Sequence, residues 1–533
     1  MTFLDRRDFL RRSAALAAGV SLAPLLGGDR AASADLPAAP GTRFAEGVVF
    51  HDRNGSGMRA PGDEGIPGVL VSNGRDIVKT DARGRYRLPI EDEAILFVIK
   101  PSGWALPIDG HNLVQRHYIH RPNGSPASQY PGIAPTGPLP ESVDFALRPS
   151  VEPAKFRMVL FGDPQPRDQK EVDYIAHDVV EGLAGVDAAF GLSLGDIMYD
   201  DLSLYDSLNA TIATIGLPWH NLRGNHDMNY EAVDNTYCCE TFKRVFGPTY
   251  YAFNYGQVHF LVLDNVHYEG AAKHNFHGEL GETQLAFARN DLALVPKDKL
   301  VVVAMHMPLT AVSDREALYR LLEDRPHAMS ISAHTHVHQH MFLGADEGWR
   351  GAQPHHHFNH ATVCGCWWQG APDEMGIPHT TMTDGGPNGY SIMTFEGAKY
   401  TVDFHPARRL PSDQMSIFTP DGVTSANSGD TDVLVNIYAG SPRSTVEMKV
   451  DKQSGWAPMQ SIVREDPYFL KLKEAEAGPK PPPGRPLDDA TKTDHIWTAK
   501  LPAGLPKGTH MMQVRTTDMF GHTYTARRII AVG

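Results

Sequence analysis

Cysteine is scarce, with four residues in 533, and they stand in two close pairs, Cys238-Cys239 and Cys364-Gly365-Cys366. This excludes a disulfide-dense scaffold and does not match a zinc-ribbon spacing. An oxidising compartment would permit a bridge between the pairs, which the spacing alone does not decide. Positive charge is also in deficit: 49 Lys and Arg against 63 Asp and Glu leave a formal net charge of −14. The first 34 residues hold five Arg against three Asp, so the remainder is more acidic still. No nucleic-acid or anionic-membrane surface is expected from such a balance, while a local positive site, including one made by metal ions, stays open. Beyond the N-terminus there is no uninterrupted apolar run of about 20 residues, so no membrane span is expected. Internal repeats of solenoid or propeller period are missing, and oligomeric state is not written in the sequence.

What is present begins with length. A chain of 533 residues exceeds one hydrophobic core, which stops growing at roughly 250–300 residues, so two or three domains are expected. With 41% hydrophobic and 21% charged residues, disorder and collagen-like repeats are excluded. The N-terminus carries paired Arg6-Arg7, a short apolar run from Ala14 to Leu26 and a small-residue site at Ala32-Ser33-Ala34. That is export-signal anatomy, too short to span a bilayer. The twin arginines followed by Asp8-Phe9-Leu10-Arg11 look like a Tat signal, the address of proteins exported folded, with an ordinary Sec signal as the alternative. No cysteine follows the apolar run, so lipoprotein anchoring is unsupported, and a periplasmic or extracellular location is expected.

Between residues 41 and 149 short alternating runs are separated by Gly and Pro, which suggests a small β-sandwich. The pieces "GIPGVLVSNG" and "TDARGRYRLP" resemble Cna-B and carboxypeptidase-regulatory-like modules. Asp52-Arg53-Asn54-Gly55 reads either as an oxygen-rich calcium loop or as a plain turn. Over 155–410 apolar strands alternate with helical periodicity: Val172, Ile175, Val179 and Leu183 share one helical face, and Ser313-Asp314-Arg315-Glu316 reads as a capping box opening "ALYRLLED". This alternation predicts an α/β layered domain with ligands at the carboxyl ends of strands. From 411 to 533 period-two runs return with no helix expected, predicting a second β-sandwich interrupted by the stiff "GPKPPPGRP" loop from Gly478 to Pro486.

Five central segments end apolar runs on metal-ligand side chains: "VLFGDPQ", "GLSLGDIMYDD", "HNLRGNHDMNY", "KLVVVAMHMPL" and "MSISAHTHVHQH". Asp163, Asp196, Asn225, His226, His306, His334 and His336 are thereby expected along one sheet edge. Hydrolysis of a phosphate ester near neutral pH needs charge neutralisation and a nucleophilic hydroxide, and two divalent ions held a few Å apart supply both. Asp196 is the natural bridging carboxylate, and the mixture of carboxylate, amide and imidazole suits Mn, Fe or Zn. The glycines before Asp196 and Asn225 let backbone pass close to the metals. Pro164 is expected to end its strand and hold Asp163 extended.

In this order the motifs resemble the calcineurin-like metallophosphoesterases, whose pattern is D-x-H, GD, GNH[DE], a lone His and GHxH. The resemblance implies an α/β fold, a four-layer-type metallophosphoesterase β-sandwich with flanking helices, plus two all-β sandwich domains, and an exported bacterial type with dedicated N- and C-terminal modules. It implies two divalent or trivalent ions and a small phosphoester substrate attacked by a metal-bridged hydroxide. One metal would take Asp163, Asp196 and His336, the other Asp196, Asn225, His306 and His334, while His226 would contact the phosphoryl group and assist the leaving oxygen. Two positions depart from the pattern. Ala333 replaces a glycine, and Gln165 replaces the first-motif histidine, exchanging a nitrogen donor for an amide oxygen that either coordinates a looser metal or orients water.

Around this set, Arg223 and Tyr199 are placed to reach a phosphate oxygen, or else pair with a surface acid and pack. Among the histidines between His334 and His360 most read as loop residues, with His356 and His357 as substrate-side candidates. Trp367-Trp368 either floors a pocket or packs against a sandwich domain. The leading reading is a metal-dependent phosphomonoesterase or phosphodiesterase acting outside the cytoplasm. The alternative is a cell-envelope binding or adhesion protein with a vestigial metal site. Monoester, cyclic nucleotide, nucleotide and phospholipid head group all fit as substrates.

Overall fold

The computed structural model describes residues 42–451 and 455–533, so the signal-like stretch 1–34 lies outside the described residues. Two four-stranded sheets form the N-terminal module, in the orders Arg85–Pro89, Phe44–His51, Phe145–Pro149, Trp104–Ala105 and Ile77–Lys79, Leu70–Ser72, Ala94–Ile99, His117–His120. Alternate residues Ala45, Val49, Leu88, Leu96 and Val98 meet between them, as period-two strands require. The Asp52 carboxylate accepts from the backbone N–H of Gly55, Ser56 and Gly57 at 2.8, 3.2 and 3.1 Å. Those donors form an Asx-type turn, the plainer of the two readings of this loop.

The central region is a sandwich of two mixed sheets. One runs Trp219–Asn221, Phe190–Ser193, Lys155–Phe161, Gly389–Glu396, Lys399–Pro406, with the first three strands parallel. The other runs Tyr251–Tyr255, Val258–Val262, Leu300–Ala304, Ala328–Ser332, His355–Asn359, Gln339–Leu343, with the middle four parallel. Strand Lys155–Phe161 shows why four layers result: Met158 and Leu160 face the inter-sheet core, while Val159 and Phe161 face outward. The outward pair is covered by Val172 and Ile175 of helix Gln169–Ile175, by Val179 and Leu183 in the irregular turns that follow, and by Leu208 and Ile212 of helix Tyr205–Ala213. On the far side, Phe287 of helix Glu282–Leu292 and Leu318 and Leu322 of helix Arg315–Leu322 cover the six-stranded sheet.

Two expectations change here. Helix Arg315–Leu322 has no side-chain cap, because the Asp314 carboxylate accepts from the backbone N–H of Leu280 at 3.0 Å and of Gly281 at 2.9 Å. The N-cap falls on Asp314, one residue after the Ser313 that the expected capping box would use, and Asp314 instead ties down the entry to the preceding α-helix. The C-terminal region is a sandwich of two four-stranded sheets around Val433, Val435, Trp497, Met512 and Val514, yet it also carries a helix, Pro467–Glu476. Asp466 caps it by accepting from Phe469 N–H at 2.8 Å, with Pro467 at the first turn, a start signal that the surrounding strand pattern masks. Phe469 packs with Cys366 and Leu487, which docks this module on the loop bearing Trp367 and Trp368. Among the described residues no helix is long and apolar enough to cross a membrane.

Candidate metal centre

The expected ligands meet where strands of both sheets end. Asp163 follows Lys155–Phe161, Asp196 follows Phe190–Ser193, Asn225 follows Trp219–Asn221, His306 follows Leu300–Ala304, and His334 and His336 follow Ala328–Ser332. The chain turns there through backbone that side chains other than glycine rarely adopt: φ is +32° at Asp163, +48° at Gln165, +47° at Asp196, +69° at His334 and +54° at His336. Such conformations cost of order 1–3 kcal/mol each and gather where a site dictates them. Asp163 is therefore left-handed, not extended; Pro164 ends the strand, but the turn aims the carboxylate. Ala333 lies outside this group of positive-φ residues, so glycine is not needed there.

Both flanking glycines are required by close approach. A Cβ on Gly224 would stand 2.1 Å from the Asp196 backbone nitrogen and from its Oδ1, and one on Gly195 would stand 2.7 Å from His306 Nδ1. Asp227, which the sequence reading passed over, organises the same turn by accepting from the backbone N–H of Gly224, Ile197 and Met198 and from the Tyr205 hydroxyl. Burial, helped by the nearby Asp196, pushes its carboxyl up to about 6. Tyr230 fixes the next position, donating from its hydroxyl to the Asn225 carbonyl at 2.8 Å.

On one side, acceptor atoms converge. His306 Nδ1 donates to the Leu194 carbonyl at 2.8 Å, which turns Nε2 toward Asn225 Oδ1 at 3.1 Å, Asp196 Oδ1 at 3.3 Å and His334 Nδ1 at 3.1 Å. Ligand atoms of Asp196, His306 and His334 all lie within 4.8 Å of one another. Only a cation, whether a proton or a metal, satisfies such a set together. Burial alone would lower the His306 imidazole, but Asp196 and Asp163 raise it to about 9. Burial would raise Asp196 in turn, yet the facing His306, His226 and His334 hold it well below the usual carboxylate range.

The other side follows the same logic with poorer donors. His336 Nδ1 donates to the Gly365 carbonyl at 2.5 Å, leaving Nε2 3.2 Å from Asp163 Oδ2, a buried oxygen with no hydrogen-bond partner. Gln165 is also buried, donating from Nε2 to Asp196 Oδ2 at 3.2 Å and receiving the Cys364 thiol on Oε1 at 3.5 Å. Asp196 thus shows Oδ1 to the His306 side and Oδ2 to the Gln165 side. Histidines oriented by backbone carbonyls, an unpartnered buried carboxylate oxygen and a mixed N/O donor set fit metal ligation.

His226 stands at the rim. Its backbone N–H donates to Asp196 Oδ1 at 2.8 Å and its Nδ1 to Asp200 Oδ1 at 2.7 Å. Burial opposes protonation of this ring, but Asp196 and Asp200 prevail and raise it. Tyr199 stacks on His226 with centroids 4.5 Å apart, and the Arg167 guanidinium lies 4.3 Å over Tyr199. Trp367, half-buried, stacks on His336 at 3.9 Å, whereas Trp368 is core. Asp200 and Arg167 were missed in the sequence, although the acid pair closing "GDIMYDD" was a signal for the first.

Three candidates are corrected. Arg223 is buried and spent: it bonds Asp264 at 2.7 and 3.1 Å, the Val266 carbonyl, and the thiols of Cys238 and Cys239 at 3.3 and 2.8 Å. Its partner is an interior acid, neither a phosphate nor a surface group. His356 and His357 lie in the buried strand His355–Asn359. All four of their ring nitrogens are engaged, His356 with His340 and Tyr400, His357 with Ser330, Ser332 and the Leu309 N–H. Burial pushes His357 and His340 down to about 3, so both serve as neutral core rings. Among the described residues all four cysteines are free thiols, and the two pairs are not bridged.

Residues 156–338 match the calcineurin-like phosphoesterase family, 53–130 match the N terminal of calcineurin-like phosphoesterase, and 357–524 match the C terminal of calcineurin-like phosphoesterase. A purple acid phosphatase from yellow lupin (Lupinus luteus) seeds is similar over 70% of this chain and 72% of its own, at 14% identity and a TM-score of 0.37. No curated protein sequence matches the chain. With the three family stretches covering the greater part of its length, the chain belongs to the calcineurin-like phosphoesterases and is a metallophosphoesterase.

Proposed function

We propose that the protein hydrolyses phosphomonoesters or phosphodiesters at two metal positions sharing Asp196, and that it does so outside the cytoplasm. The supporting observation is the convergence of acceptor atoms from Asp163, Asp196, Asn225, His306, His334 and His336 on both sides of one carboxylate. Asp196, Asn225, His306 and His334 would hold one ion, and Asp163, Asp196 and His336 the other, with Gln165 beside it. When bound, such ions neutralise phosphoryl charge and make water a competent nucleophile near neutral pH.

The chain's own groups do the rest. His226, positioned by Asp196 and Asp200, has its Nδ1 engaged, so Nε2 is the atom that gives a proton to the departing oxygen. The raised proton affinity of its ring keeps that proton available. Tyr199 fixes the ring plane by stacking. Phe276, with its centroid 6.2 Å from the His334 ring, and Trp367 on His336 shield the ligands from bulk water.

A panel of monoesters and diesters, run on protein reconstituted with Mn, Fe or Zn, tests the reaction; failure to turn over any of them refutes it. His226→Asn should slow alkyl esters by about 10²–10⁴-fold and nitrophenyl esters, whose leaving group needs no proton, far less. Equal losses on both would refute the proton-donor role. Export rests on residues 1–34; Arg6→Lys with Arg7→Lys should hold the precursor inside the cell, and undiminished export would remove the Tat reading.

A further inference from the structure

A second cluster of metal-binding side chains stands on the hairpin Val266–Tyr268/Phe276–Gly278. Its strands pair antiparallel with His267 directly opposite His277, and the two rings lie 4.9 Å apart. Because side chains alternate along a strand, Val266, Tyr268 and Phe276 share the inner face and the histidines the outer one. Their side chains are 39% and 40% exposed.

Glu279, the residue after the second strand, brings Oε2 to 3.4 Å from His267 Nδ1 and 3.2 Å from His277 Nε2. On its other edge, His277 Nδ1 donates to Glu269 Oε1 at 3.2 Å, and Glu269 is held by Lys273 at 3.0 Å and by the Asn275 amide at 3.3 Å. Both ring nitrogens of His277 face carboxylate oxygens, so while Nδ1 donates to Glu269 a cation, proton or metal, is required between Nε2 and Glu279 Oε2. A carboxylate-oriented histidine of this kind is the usual second support of a metal ligand.

We propose that His267, His277 and Glu279 form a separate, solvent-open site for a transition-metal dication of the zinc type. Ligand atoms of the three lie within 4.8 Å of one another, a separation that a zinc ion with bonds of about 2.0–2.2 Å draws together by small side-chain rotations. Two imidazoles disfavour calcium and magnesium, and the lack of sulfur disfavours copper(I). The half-exposed position leaves room for water as the remaining ligand. A bound ion cross-links the strands at their paired histidines and so steadies Phe276 against His334, at the rim of the phosphoesterase centre.

Equilibrium dialysis at micromolar free zinc tests this on the whole chain. Wild type is expected to hold one zinc ion per chain more than His277→Ala or Glu279→Gln, with phosphoesterase activity retained in both variants. Zinc should also slow amide exchange across 266–278 in wild type alone. The same difference should persist in an Asp196→Asn background, so failure of the catalytic reading leaves this one testable. Equal zinc content in wild type and both variants, or an extra ion only at millimolar zinc, overturns the site. If His277→Ala does not fold, the isosteric Glu279→Gln decides.

Discussion

The two sides of the metal centre share Asp196 but are built from unequal donors. On the His306 side two imidazoles, an amide oxygen and a carboxylate oxygen face one another at 3.1–3.3 Å. On the Gln165 side one imidazole faces one carboxylate, and the remaining position is a glutamine that donates to Asp196 instead of accepting. Gln and neutral His carry the same charge, so the exchange leaves the field of the site intact and changes only donor strength. The difference teaches that the donor set is asymmetric by construction; on the proposed two-metal reading the His306 side would hold its ion firmly and the Gln165 side more weakly.

Mutations at the shared carboxylate should erase the asymmetry with the largest effect. Asp196→Asn removes the bridging charge from both sides, and hydrolysis should fall by about 10³-fold or more, with metal content dropping on both. Gly224→Ala should approach this without removing any ligand, because the added Cβ meets Asp196 at 2.1 Å; activity and metal content should fall together, and a fully active variant would contradict the crowding. A smaller, one-sided effect separates the halves: His334→Ala should lose the firmly held ion, whereas His336→Ala should lose only the weaker one and be partly rescued by excess metal. Equal losses in the two variants would break the comparison.

How much of this was legible in the sequence depends on what each signal measures. Any one polar residue closing a buried strand has ordinary structural uses, so it was the conjunction of five ligand-bearing segments in order that pointed to the candidate centre. The uninterrupted apolar run Met158-Val159-Leu160-Phe161 fits a strand covered on both faces. The run His355-His356-His357 did not read as a strand, because its apolar partners are replaced by Ser330, Ser332 and Tyr400 on neighbouring elements. Sequence spacing cannot show that a ring nitrogen will meet a serine from another strand. Arg223 misled for the same reason, its acid lying 41 residues away at Asp264. Asp314 shows a subtler limit: the helix starts one residue later than the Ser313-to-Glu316 box places it, and two backbone donors from Leu280 and Gly281 claim the carboxylate of the actual N-cap. The helix Pro467–Glu476 was signalled by Asp466-Pro467 and went unread because strands surround it.

The smallest expected change bears most directly on the central claim. Metal affinities of wild type and Gln165→His, measured by titration with each position followed separately, should show two unequal steps in wild type. Restoring an imidazole should tighten the weaker step by roughly tenfold, the equivalent of about 1.4 kcal/mol, and leave the stronger one unmoved. Two equal affinities in wild type, or a Gln165→His protein in which the stronger step shifts instead, would contradict an asymmetric centre set by Gln165.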